Sequence, residues 1–250
     1  MGDRAAVALP VLNARMPFTF VGRPLSSLPG LARLNLRYLA GYSAECIADY
    51  WYGINTRASW RGAESLAALT TLGGKTDAHP YEGTPFGTIS SVLDHLPSDV
   101  SNYSFVDYGS GKGRVILMAS RRKFREVIGV EFAESLHQLA EINISRFKGN
   151  ITSPVKSVLC RAEMFGIPDG PCILYFFNPF EAGVADKVVC RVVSSYLARP
   201  RHLMIVLYHP MLLHAFEAKG CFHHRSTITE SFLSGLSHST RYAIRILEAR

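Results

Sequence analysis

The residues Phe105-Val106-Asp107-Tyr108-Gly109-Ser110-Gly111-Lys112-Gly113-Arg114 constrain the fold more than any other stretch of this chain. Apolar residues lead into a carboxylate, then into three glycines at alternate positions, then into the helix-like run Val115 to Ser120. That order is strand, tight turn, helix. Residues without a Cβ let the chain turn sharply and let a ligand lie close to the backbone. The free N–H groups of the following helix would point at such a ligand. A second acidic residue, Glu131, ends the next apolar run, Val127-Ile128-Gly129-Val130. A carboxylate at that strand end is placed to accept hydrogen bonds from a ribose hydroxyl. Together these residues describe a pocket for a nucleoside cofactor.

Charge selects among such cofactors. The dinucleotide fingerprint is G-x-G-x-x-G, and here the third glycine comes one residue early. Asp107 sits directly before the turn, where it would repel a pyrophosphate. S-adenosylmethionine has no phosphate and carries a sulfonium and an ammonium, both attracted by a carboxylate. The pattern therefore favours S-adenosylmethionine over NAD or FAD, and over a turn that binds nothing.

Asp107-x-Gly109-x-Gly111-x-Gly113, with Glu131 closing the second strand, resembles the class I S-adenosylmethionine-dependent methyltransferases. The wording Asp-Tyr-Gly-Ser-Gly-Lys-Gly-Arg is most similar to a bacterial group of uncharacterised methyltransferases, and is also similar to the non-SET lysine methyltransferases. The likeness runs from about residue 81 to the C terminus, and Tyr52-Gly53-Ile54-Asn55-Thr56 resembles a leader element of the bacterial group. It implies a Rossmann-like, three-layer αβα sandwich with a mostly parallel seven-stranded sheet and an antiparallel last strand. It further implies S-adenosyl-L-methionine as cofactor, with S-adenosyl-L-homocysteine as product. The cofactor contacts would be Asp107, Gly109, Ser110, Gly111, Gly113 and Glu131, joined by Tyr81 and Thr84 from the loop before the first sheet-packing helix. That loop also reads as a helix start, with Thr84 as cap and Pro85 in the first turn. Relatives often place an acid after the third strand, against the adenine amino group. This chain has Arg161 there, which leaves Glu163 or the backbone of Ala162 for the contact.

Asn178-Pro179-Phe180 follows the apolar run Ile173 to Phe177 and resembles the Asn/Asp-Pro-Pro-aromatic motif of amino methyltransferases, without its second proline. An amide oxygen and a backbone carbonyl there would accept N–H bonds from the acceptor and aim its lone pair, while the ring packs on a flat or cationic group. Asn178 would also touch the cofactor. The alternative is a strand-end turn with Asn178 as a helix cap. His209, after Tyr208, is a candidate proton acceptor or a structural strand-end histidine. The implied reaction is displacement at a sulfonium methyl by a nucleophile, a nitrogen by the likeness of this motif, on a protein lysine or a small molecule. It needs no metal, because the sulfonium is already a good leaving group. The rivals are an NAD(P)-dependent oxidoreductase and a methyltransferase-like binding module without turnover.

Periodicity predicts helices over 31–54, with Gly41 a possible interruption, and over 63–72 and 86–96. Further helices are expected over 112–122, 184–197 and 211–218, with one between that carries Leu136, Leu139, Ala140 and Phe147 on one side and ends at Gly149-Asn150. Strands are expected over 104–108, 126–131, 155–160, 172–177, 203–208, 222–229 and 241–248. Residues 1–78 read as a proline-punctuated arm and helical extension able to form a homodimer surface, and 79–250 as the methyltransferase domain. Of 250 residues, 48% are hydrophobic, enough for one sizeable core. No apolar run approaches the ~20 residues of a membrane helix. Five scattered cysteines without C-x-x-C spacing fit a reducing, cytoplasmic setting rather than a disulfide framework or zinc site. His223 and His224 are neighbours on a strand and point to opposite faces. The net charge of +7 permits nucleic acid, but the densest cluster, Arg121-Arg122-Lys123 with Arg125, reads better as a solvated helix end.

Overall fold

A computed structural model of the chain describes residues 19–20, 23–24, 30–57, 81–177, 182–208, 212–229 and 243–249, with the side chains of the first helix described from residue 41. A short antiparallel pair, β1 (Thr19–Phe20) and β2 (Arg23–Pro24), precedes α1 (Gly30–Tyr52). Helix α2 (Phe86–Asp94) then leads into alternating strands and helices: β3 (Ser104–Tyr108), α3 (Arg114–Ala119), β4 (Glu126–Glu131), α4 (Glu134–Arg146) and β5 (Val155–Leu159). After a 3-10 turn at Ala162–Met164 come β6 (Cys172–Phe177), α5 (Ala182–Ala198), β7 (Leu203–Tyr208), α6 (Leu213–Glu217), β8 (Phe222–Ile228) and β9 (Ile244–Ala249).

The seven main strands form one sheet in the order β5-β4-β3-β6-β7-β9-β8. The first five are mutually parallel, and β9 runs antiparallel between β7 and β8. Strands β3 and β7 are buried along their whole length, as the near-continuous apolar runs of a sheet covered on both faces require. Val106, Leu174, Phe176, Ile205 and Leu207 pack against Val188, Val189 and Val192 of α5 and Phe216 of α6. Phe105, Ile173, Tyr175 and Val206 form the opposite core with Ile89, Val92 and Leu93 of α2 and Ile116 and Leu117 of α3. The result is the expected three-layer αβα sandwich. Strand order reverses at β3 and β6, so the chain leaving their carboxyl ends parts to opposite faces, the switch point at which sheets of this kind take ligands.

Four strands have the predicted limits, namely β3, β4, β6 and β7. The helix after the glycine turn is shorter than expected and spans only Arg114–Ala119. Gly41 does not interrupt α1. The helix expected over 63–72 lies outside the described residues. No helix among the described residues is long and apolar enough to cross a membrane.

Candidate functional site

The turn between β3 and α3 has positive φ at Gly109 (77°), Gly111 (52°) and Gly113 (87°), a run that side chains with a Cβ rarely adopt. Its shape is held from β4. The Gly111 N–H donates to Glu131 Oε2 at 2.8 Å, and Ala133 N–H donates to Oε1 at 2.9 Å. Ser110 turns back onto β4, where a Cβ on Gly129 would stand 2.6 Å from its Oγ. The Ser110 hydroxyl oxygen is itself buried with no hydrogen-bond partner among the described residues.

Asp107 ends this construction at the carboxyl end of β3, only 3% exposed. No hydrogen bond or ion pair reaches its carboxylate among the described residues. Burial, and then the Glu131 charge, push its pKa well above the ordinary carboxylate value. Burial also raises Glu131, against the lowering effect of the N–H groups of Ala133, Gly111 and Phe132. Two buried carboxylates thus stand together at neighbouring strand ends, and Asp107 has no partner of its own among the described residues.

The cations within the turn do not neutralise them. Lys112 Nζ donates to the Arg57 carbonyl at 2.9 Å and lies 5.4 Å from the centre of the Tyr81 ring. Arg114 points at α1, where it pairs with Glu45 and has Nη2 3.9 Å from Asp49 Oδ1. Both cationic side chains are committed to the protein, so neither is left to meet a phosphate. The residues present fit a cationic ligand with a hydrogen-bonding ribose better than a dinucleotide.

Tyr81 and Thr84 both stand near this turn. The Tyr81 ring rests on Gly111, so that a Cβ there would be 2.2 Å from Tyr81 Cε2. Its hydroxyl donates to the Thr56 carbonyl at 2.6 Å. Burial raises the pKa of that phenol, which keeps it a donor at neutral pH. Thr84 does not cap α2 as predicted. Its hydroxyl shares a 3.0 Å hydrogen bond with the Tyr175 hydroxyl, and the first N–H of α2, at Phe86, donates to Glu45 Oε1 at 3.1 Å instead. A carboxylate from α1 thereby replaces the local cap.

Ala162 is buried in the 3-10 turn after β5, while Glu163 lies beside Arg161, with Nε and Oε1 3.4 Å apart. Asn178, Pro179, Phe180 and His209 lie outside the described residues. The strands that lead to them end in a stacked pair, Phe177 and Tyr208, with ring centroids 4.5 Å apart. Tyr208 is only 1% exposed.

The cluster Arg121-Arg122-Lys123 with Arg125 is largely absorbed by structure. Arg121 donates to the Tyr52 hydroxyl at 2.7 Å, Arg122 to the carbonyls of Leu93 and Pro97, and Arg125 to Ser104 Oγ at 2.7 Å. A cavity of about 460 Å³ lined by Arg125, Glu126, Lys156 and Asp169 lies at the opposite pole of β4 and β5. Its charges are already paired among themselves or with Arg199, so it offers no unspent group.

Sequence reasoning missed how firmly α1 and the leader are built into this region. Asn143 of α4 accepts the Asn55 N–H at 2.9 Å and donates to the carbonyls of Asn55 and Lys112 at 3.1 and 2.9 Å. One signal was present: Arg114, directly after the last glycine, must find carboxylates if buried, and Glu45 and Asp49 stand one helical turn apart.

No family model matches the chain, and no curated protein matches it. Among solved structures, the chain is similar to a TehB-like SAM-dependent methyltransferase from Corynebacterium glutamicum at 11% identity, with 76% of this chain and 97% of that one covered and a TM-score of 0.47. It is similar to the magnesium protoporphyrin IX methyltransferase of Synechocystis at 12% identity, with 77% and 96% covered and a TM-score of 0.47. It is also similar to a ribosomal protein L11 methylase from Lactobacillus delbrueckii at 12% identity, with 65% and 77% covered and a TM-score of 0.45.

Proposed function

We propose that this protein is an S-adenosylmethionine-dependent methyltransferase acting on a nitrogen of a protein lysine or a small molecule. The observation that supports it is the unspent, buried Asp107 carboxylate beside Glu131, in a glycine turn whose own cations face away. When bound, S-adenosylmethionine supplies a methyl group activated by its sulfonium. In this reading Asp107 balances the positive charge of the cofactor. Glu131, which keeps lone pairs beyond its bonds from backbone N–H groups, receives the ribose hydroxyls. Tyr81 covers the turn, Thr84 holds that loop to the sheet, and Ala162 with Glu163 edges the adenine. Asn178, Pro179 and Phe180 orient the acceptor, with His209 as proton acceptor, by their likeness to the amino-methyltransferase motif. Residues 79–250 form the catalytic domain, residues 1–78 extend it, and five free cysteines suit the cytoplasm.

Calorimetric titration with S-adenosylhomocysteine and, separately, NADH tests this reading. Binding of the first and not the second is expected, together with loss of binding in Asp107→Ala. Binding of NADH, or full-strength S-adenosylhomocysteine binding by Asp107→Ala, would overturn it. Transfer of labelled methyl to a cell extract separates an enzyme from a binding module.

A further inference from the structure

Arg114 opens α3 at the foot of the glycine turn, yet its side chain works on segments that precede the turn. Its Nε donates to Thr56 Oγ1 at 2.7 Å, and its Nη1 donates to Glu45 and, at 3.1 Å, to the Thr84 carbonyl. The guanidinium carbon lies 4.4 Å from the centre of the Phe86 ring. Thr56 is fixed from its other side by Asp49, which accepts its N–H at 2.9 Å and its hydroxyl at 2.7 Å. The Thr56 carbonyl then receives the Tyr81 hydroxyl, and the Tyr81 ring returns to Gly111. These contacts form a closed circuit from turn to guanidinium, to leader, to ring, and back to the turn. The polar centre of the circuit is sealed from water, with Arg114 4% exposed, Asp49 2% and Thr56 0%, while Tyr81 is half-buried.

Burying a guanidinium with carboxylates is a poor way to gain stability, because desolvation consumes most of the attraction and apolar packing of equal volume does as well or better. What a planar fork provides is geometry, since its donors hold several acceptors at fixed angles. We infer that Arg114 is a positioning residue of the cofactor pocket, which fixes Tyr81 over Gly111 by gripping Thr56 and the Thr84 carbonyl. Helix α1 and the leader 53–57 are then working parts of the pocket rather than an appended extension. The inference rests on the methyltransferase reading for the identity of the ligand.

Arg114→Lys keeps the charge and loses the fork, and Tyr81→Phe keeps the ring and loses its bond to Thr56. Each variant and the double variant is titrated with S-adenosylhomocysteine at 25 °C, with folding verified by circular dichroism. Affinity is expected to fall by roughly tenfold or more in Arg114→Lys and about three- to tenfold in Tyr81→Phe. The double variant is expected to be no weaker than Arg114→Lys, because both changes cut one circuit. Wild-type affinity in a folded Arg114→Lys protein, or losses that simply multiply, would overturn the inference. If Arg114→Lys does not fold, Thr56→Val removes the hydroxyl between Arg114 and Asp49 and repeats the test. A second readout needs no ligand. With 3-fluorotyrosine incorporated and the Tyr81 line assigned by its loss in Tyr81→Phe, the fluorine resonance should move toward the solvent-exposed position in Arg114→Lys. Should wild-type protein bind no S-adenosylhomocysteine, the methyltransferase reading fails. The fluorine line then decides alone: a moved line upholds the positioning of Tyr81, and an unmoved line sinks it.

Discussion

Glu131 and Gly111 are joined by a 2.8 Å hydrogen bond, so the carboxylate that ends β4 sets the shape of the turn that ends β3. The same carboxylate accepts the Ala133 N–H. Glu131→Ala leaves both donors buried without a partner, which outweighs the relief of removing a desolvated charge. It should lower stability by about 2 kcal/mol, or roughly 4–8 °C in Tm for a chain of this size. Glu131→Gln removes the charge but keeps one acceptor, so it should lose less. A thermal scan that ranks Gln below Ala would contradict this role of the carboxylate.

Asp107 should trade stability for binding. Its folded pKa is raised, by burial first and Glu131 second, so the stability it contributes is complete below the ordinary carboxylate range and is lost as pH rises through the folded value. At pH 8, above the ordinary carboxylate range, folding must either bury this charge uncompensated or take up a proton, and both cost stability. Asp107→Asn should then be more stable than wild type by roughly 1–3 kcal/mol, with the difference vanishing near about pH 4. The same variant should bind S-adenosylhomocysteine at least about tenfold more weakly, because its ammonium loses the counter-charge. Denaturant titrations at the two pH values, paired with calorimetry, measure both halves of the trade.

Gly111→Ala meets two obstacles. Its φ of 52° is unfavourable for a side chain, and its Cβ would stand 2.2 Å from Tyr81 Cε2. The left-handed backbone alone costs roughly 1–2 kcal/mol, and the ring must also leave. Combining the change with Tyr81→Ala removes the clash and leaves only the backbone term. The double variant should therefore be more stable than the sum of the single losses predicts. Simple additivity in urea unfolding would show that the ring does not rest on the turn.

The strands of this fold were legible because their signal is local. Ser104 to Tyr108, Cys172 to Phe177 and Leu203 to Tyr208 are apolar runs bounded by polar or turn residues, and a strand buried on both faces has no other appearance. The glycine turn with Asp107 and Glu131 was legible for the same reason. The polar scaffold around it was not. Arg114 joins Glu45 across 69 positions, and Asn143 joins Asn55 across 88. No spacing rule reports such pairs. Apolar periodicity is also silent about what α1 contributes here, since Glu45 and Asp49 meet Arg114 while Tyr42 on the same helix is 44% exposed. An apolar-stripe rule counts those carboxylates as solvent-facing unless a buried cation elsewhere demands them.

A last prediction concerns the pole of the sheet opposite the turn. Glu248 of β9 accepts from His202 and, at 2.7 Å, from Arg225, and the Tyr103 hydroxyl shares a 2.9 Å hydrogen bond with His202 Nδ1. Burial works to raise the Glu248 pKa, but the bonds from Arg225 and His202 outweigh it and hold the group below its ordinary value. A depressed folded pKa contributes stability that is present above the unfolded value and is lost as pH falls through the folded one. Glu248→Gln should therefore cost about 1 kcal/mol at pH 7, and the cost should shrink as pH falls toward about 3 and the wild-type carboxylate takes up its proton. The acid limb of the stability curve should flatten in the variant. Because this pole is remote from Asp107, S-adenosylhomocysteine affinity should be unchanged, which separates the network's structural role from the chemistry at the other end of the strands. An equal loss at both pH values would show that Glu248 acts through packing rather than charge.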